Sequence, residues 1–98
     1  MNRPANSALP LPARVLLALV QAHAERGPAP IALPRLTKML GESASTVMRT
    51  IIPLTDAEVG GQAGPGWVRM QAQDGRWLVA LTDEGAKAVQ QVLAASRD

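Results

Sequence analysis

Ninety-eight residues, 47% of them hydrophobic, are enough for one modest core and too few for two, which excludes a multidomain enzyme on size. Ten Lys and Arg against eight Asp and Glu leave a net charge of +2, too small to identify a polyanionic partner by itself. Most of those cations are arginine, the better side chain for paired contacts to phosphate or guanine. The lack of cysteine removes disulfides, thiolate metal sites and a cysteine nucleophile, and it suits a reducing compartment.

Residues 1 to 11, MNRPANSALPL, are proline-rich and aperiodic, which predicts a flexible arm ahead of a single domain over 12–95. Arg3, the run VLLALV and Ala22-His23-Ala24 imitate a secretory signal. The imitation reads as accidental, because Arg14 abuts an apolar run of six residues and Pro10 and Pro12 precede it. No stretch reaches transmembrane length, so a cytoplasmic protein without membrane contact is expected.

Pro12 is suited to opening a helix in which Leu16, Leu19, Val20 and His23 share a face, widened by Val15 and Leu17, and Gly27-Pro28 closes it. The helix is apolar nearly all round, so it is expected either deep in the core or partly covered by a second copy of the chain. His23 has no second ligand at useful spacing; a packed or partly exposed imidazole is expected, with no metal and no cofactor. Residues 28–32, PAPIA, then form an extended link that sets Ile31 against a sheet.

The stretch LPRLTKMLGESASTVMRTIIPL, 33–54, predicts two helices and a tight turn. Pro34 suits a first helical position, with Leu36, Met39 and Leu40 at helical spacing behind it. Gly41 stops that helix and Ser43 caps the next. In the second helix Ala44, Val47, Ile51 and Leu54 form an apolar face, while Ser45, Thr46, Arg49 and Thr50 form a small, polar and basic one. Pro53 should end the helix near Ile52 or bend it there, with a bend or restart over Leu54 to Ala57. The glycine-rich GGQAGPG, 60–66, follows a helix and opens a strand, the reverse of a phosphate loop, and is expected to be a mobile linker.

WVRMQAQDGRWLVAL, 67–81, carries the clearest strand signal. Centring a two-residue turn on Asp74-Gly75 pairs Gln73 with Arg76, Ala72 with Trp77, Met70 with Val79 and Val68 with Leu81. The last three pairs are apolar and share a face; Gln71 with Leu78 and Arg69 with Ala80 lie on the other. A slip of one residue would turn the apolar set outward. Thr82 then caps a last helix opened by Asp83 and Glu84, with Ala86, Val89, Val92 and Leu93 as its stripe and a frayed end over 96–98.

The order of elements, with three local motifs, resembles the winged helix-turn-helix of bacterial MarR-type regulators. LTKMLGESASTV, 36–47, resembles the family's turn and the start of its recognition helix. Asp74-Gly75-Arg76 resembles the acid-x-arginine at its wing tip, and LTDEGAKAV, 81–89, the passage that follows. The resemblance implies a mostly α fold with a small β-hairpin wing (α+β) and a homodimer on double-stranded DNA. Ser45, Thr46 and Arg49 would meet bases and phosphates in the major groove, with Arg76 in the adjacent minor groove. Pro53 and the glycine-rich insertion depart from the family pattern. The long terminal helices that commonly build its effector pocket are mostly missing, so no small-molecule effector is expected.

Two functions follow from these residues. In the first, a small transcription regulator binds DNA sequence-specifically: helix 43–54 enters the major groove and wing tip 74–76 the minor groove. Arg49 and Thr50 lie on the groove-facing side of the helix, and Arg35, Lys38 and Arg69 hold phosphates. Alternatively, the same fold is a protein-interaction module without DNA binding, which the low charge and the apolar first helix favour. Helices 12–26 and 82–95 are expected to form the homodimer. The acids are scattered and no nucleophile stands beside a base, so an enzyme is not expected.

Overall fold

The computed structural model describes residues 9–27 and 29–95. The arm expected over 1–8 and the frayed end expected over 96–98 lie outside these residues, as does Pro28. Helix α1 (Leu11–Arg26) is followed by strand β1 (Ile31–Ala32), helix α2 (Leu33–Leu40), helix α3 (Ala44–Ile51) and a 3₁₀ turn (Ile52–Leu54). Strands β2 (Glu58–Val59), β3 (Gln62–Ala63), β4 (Val68–Gln73) and β5 (Arg76–Leu81) lead to helix α4 (Asp83–Ala95). This is a winged helix-turn-helix of the α+β class: four helices and a three-stranded sheet of order β1-β5-β4, whose long hairpin is the wing.

The core lies between α1, the α2–α3 pair and the root of the wing. Val15, Leu36, Val47, Ile51, Val68 and Val79 are its largest fully enclosed side chains, and among the described residues no polar side chain is buried. Aliphatic groups alone supply the burial, as the shortage of aromatic residues requires. Helix α1 is central, packing on α2, α3, β5 and α4, which accounts for its apolar sequence.

Its buried stripe differs from the expected one. Val15, Ala18, Leu19 and Ala22 face inward, Leu16 and Val20 are half-buried, and His23 is exposed. Ala18 and Ala22 share the inward face with Val15 and Leu19, so the contact line runs through small residues as well as bulky ones.

Local chemistry sets the helix pair. Leu33, Leu36 and Leu40 are buried from α2, whereas Met39 is exposed because Leu33, one turn ahead of Leu36, completes the stripe in its place. Gly41 takes the left-handed conformation (φ 69°) and its N–H donates to the Thr37 carbonyl at 2.8 Å. Ser43 caps α3, its Oγ accepting from Thr46 N–H at 3.2 Å. Val47, Ile51 and Leu54 enter the core, while Ala44, at the first position of α3, stays outside. Pro53 acts as expected: α3 gives way to the 3₁₀ turn at Ile52 and the chain bends at 55–56.

The stretch read as a mobile linker is instead ordered backbone. Glu58 pairs with Ala63 and Val59 with Gln62 around Gly60-Gly61, both at positive φ, as a primed hairpin turn requires. Gly64, Gly66 and Trp67 then donate to the carbonyls of Ala57, Thr55 and Leu54, which ties the segment back along its own entrance. Two turn-forming glycines were legible in the sequence, but the short flanking strands bury nothing and carry no alternation.

In the wing every predicted pair is realised, from Val68↔Leu81 through Gln73↔Arg76, with Asp74 and Gly75 both at positive φ. β1 adds Ile31↔Val79 and Ala32↔Leu78 antiparallel to it. The apolar face is buried only at the root: Val68 and Val79 are enclosed, Met70 is half-covered, and Ala72 and Trp77 are exposed because the ribbon outruns the helices beneath it.

At that root Thr82 holds three elements together. Its Oγ1 donates to Gly66 O at 2.6 Å and accepts from Gly85 N–H at 3.0 Å, while its N–H donates to Trp67 O at 3.0 Å. The Trp67 carbonyl passes so close to Gly85 that a β-carbon there would meet it. Alanine ordinarily favours a helix over glycine by about 1 kcal/mol. Gly85→Ala should instead lower stability by about 1–3 kcal/mol through overpacking, read as a fall in the urea midpoint at unchanged slope.

Candidate nucleic-acid interface

The exposed face of α3 begins with a hydroxyl cluster at its N-terminus. Ser43 Oγ donates to Thr46 Oγ1 at 2.9 Å and lies 3.3 Å from Ser45 Oγ. Since Thr46 Oγ1 accepts there, its own proton remains available to a ligand acceptor. Thr50 differs: its hydroxyl donates to Thr46 O at 2.8 Å, which leaves it an acceptor toward solvent. Arg49 is exposed, and its Nε donates at 3.5 Å to Ser45 O one turn back, so the stem lies along the helix with the guanidinium at its surface.

Ser45, Arg49 and Ile52 fall at positions i, i+4 and i+7, one stripe along the helix and the turn that extends it. On α2, Arg35 and Lys38 are both exposed and one turn apart. The structure thus brings Ser45, Thr46 and Arg49 together on one open face, and sets Arg35 and Lys38 on the surface of the preceding helix.

The wing has two unlike faces. By register Arg69, Gln71, Gln73 and Arg76 share the outward one, while Val68, Met70, Ala72 and Trp77 share the one over α3. Arg76 therefore stands at the tip on the side away from α3 and reaches a ligand by its apical position. Arg69 lies nearer the root on the edge strand, where it borders both an outward hollow beside His23 and Pro30 and the cleft against α3.

That cleft, ≈ 570 Å³, separates α3 from the wing and is walled chiefly by Met48, Ile52, Met70 and Trp77. Its apolar residues escaped the sequence reading, in which Trp77 counted as core because it alternates with buried neighbours. A second residue escaped notice for the opposite reason. Arg14, the lone cation within the apolar run of α1, donates from Nη2 to Leu40 O at 2.7 Å, and its Nη1 lies 3.7 Å from Glu42 Oε2. It thereby satisfies the last carbonyl of α2 and ties α1 to the turn between α2 and α3.

The fold has a close counterpart among solved structures. A crystal structure of a "putative DNA-binding protein" from Ralstonia eutropha JMP134 is similar to this chain, with 30% sequence identity and a TM-score of 0.67. The likeness covers 83% of this chain and 91% of that one. The chain belongs to the family of that Ralstonia protein. No family profile and no curated protein matches it. Among the described residues no helix is long and apolar enough to cross a membrane, and no cluster of His, Asp and Glu could hold a metal.

The Arg14 contact makes a prediction about stability. Arg14→Ala removes a part-buried, charge-assisted hydrogen bond and should cost about 1–2 kcal/mol, whereas Arg35→Ala on open surface should stay within about 0.5 kcal/mol. Paired urea denaturation curves distinguish the two.

Proposed function

We propose that this protein is a DNA-binding transcription regulator of the MarR type, with α3 reading the major groove and wing tip 74–76 entering the minor groove. The observation that carries the reading is the open face of α3, with short hydroxyls at Ser45 and Thr46 and one guanidinium, Arg49, at its surface. Kinship with a protein described as DNA-binding supports it independently.

In this reading Arg49 pairs with a base, most simply guanine, and contributes about 1–3 kcal/mol of discrimination. Thr46 donates to a base or phosphate, and Thr50 accepts. Arg35, Lys38 and Arg69 contact phosphates and carry the salt-dependent part of the affinity. Arg76 enters the minor groove from the tip. The chain acts by binding rather than by catalysis, with no cofactor and no small-molecule effector, in the cytoplasm.

A homodimer through α1 and α4 completes the scheme. These helices border an apolar hollow of ≈ 230 Å³ lined by Leu9, Leu16, Leu17, Trp67 and Leu93, with Leu93 46% exposed. Exposed hydrocarbon of this kind is the ordinary mark of an interface. Two-fold symmetry would place two α3 helices on half-sites about one helical turn apart.

Two measurements test these points. The double variant Arg49→Ala, Arg76→Ala should lose binding to a random duplex at low salt, and unchanged anisotropy titrations would remove both residues from the interface. Sedimentation at micromolar concentration should give a dimer; a monomer overturns the α1–α4 contact.

A further inference from the structure

The cleft between α3 and the wing presents hydrocarbon where a surface built purely for phosphate would present charge. Trp77 is 44% exposed and Ile52 41%, with Met48 and Met70 half-buried between them. Neither exposed residue is explained by the core, which closes over Val68 and Val79 nearer the root. We propose that this cleft seats the sugar edge of one DNA strand, the strand that divides the major groove from the minor, and that Trp77 and Ile52 are its apolar contacts. The proposal rests on the DNA reading above and adds to it a component of affinity that owes nothing to charge.

The arrangement of charge favours this occupant. Arg49 lies one turn before Ile52 on the stripe that runs from α3 into the 3₁₀ turn, so a cation stands beside that apolar wall, while Arg76 precedes Trp77 at the wing tip on the opposite face of the ribbon. Arg69, at the edge of the wing, lines the cleft itself. A nucleic-acid strand has the matching alternation, an anionic phosphate on either side of a largely apolar deoxyribose. If α3 occupies one groove and the wing tip the next, the strand between those grooves must pass through the space that separates them, and this cleft is that space. Asp56, the carboxylate on its lining, sits beside the bend that follows the 3₁₀ turn. Repulsion of phosphate there steers the strand toward the half of the cleft nearer the tip, where Trp77 is.

The chemistry predicts a signature that phosphate contacts lack. Burying apolar surface displaces no counterions, so removing these side chains lowers affinity by the same factor at every salt concentration. The experiment titrates the full chain with a random-sequence duplex at several salt concentrations, using Trp77→Ala, Trp77→Phe, Ile52→Ala and Arg76→Ala. Trp77→Ala and Ile52→Ala should each weaken binding by about five- to tenfold with the slope of log K against log salt unchanged, and Trp77→Phe should recover most of the loss. Arg76→Ala should instead reduce that slope by about 0.9. Acrylamide quenching of the wild-type protein should fall on adding duplex, because Trp77 is exposed while Trp67 is half-buried.

The outcomes separate the two claims. Failure of the wild-type chain to bind any duplex overturns the functional reading and this proposal together. Wild-type binding with Trp77→Ala and Ile52→Ala unaffected, or with quenching unaltered, overturns this proposal alone and leaves the cleft to a protein partner. A changed salt slope in Trp77→Ala also overturns it, since that would mean lost phosphate contacts rather than lost hydrocarbon burial.

Discussion

The geometry of the exposed surface depends on how the root of the wing is held. A two-stranded ribbon with few neighbours is marginal alone and could swing about its base. Here Trp67 N–H donates to Leu54 O at 2.8 Å, which fastens the start of β4 to the end of the 3₁₀ turn, while Thr82 fastens the end of β5 to Gly66, Trp67 and the first turn of α4. Buried Val68 and Val79 fill the same root with hydrocarbon. The ribbon is therefore anchored to α3 on one side and to α4 on the other, and the cleft between it and α3 has a defined width.

A second anchor acts at the opposite end of α3. Arg14 reaches from α1 to the last carbonyl of α2 and to Glu42, so the turn that aims α3 is held by a side chain as well as by Gly41 and Ser43. Ala13, Leu16 and Leu17 of the same helix line the apolar hollow against α4. One helix thus joins the turn ahead of α3 to the surface proposed above to meet a second copy of the chain. In that arrangement the spacing of two α3 helices is set by packing rather than by a flexible link.

The surface is better described by the placement of charge than by its sum. A net charge of +2 is unremarkable, yet Arg69 lines the cleft between α3 and the wing, Arg49 lies on the exposed surface of α3 and Arg76 stands at the wing tip. The cleft itself is lined largely by hydrocarbon. Such a surface is suited to a ligand that is itself charged and apolar by turns.

What the sequence determined alone was whatever short-range chemistry controls. Asp74-Gly75 set the hairpin register pair by pair, Gly41 and Ser43 set the helix-turn-helix, Pro53 ended α3, and Thr82 opened α4. Each depends on a neighbour within a few residues, so each is written locally. The winged fold and the hydroxyl and guanidinium face of α3 followed from them. Only the tertiary structure decided which apolar residues would find cover. Periodicity shows that Trp77, Met39 and Ala72 lie on apolar stripes, but not where the opposing elements stop, and all three are exposed. The same holds for α1, whose buried face runs through Val15, Ala18, Leu19 and Ala22 and leaves His23 exposed. The small hairpin at 58–63 and the reach of Arg14 across 26 residues to Leu40 belong to this class too. The one lacks a hydrophobic face, and the other joins positions that only the folded chain brings together.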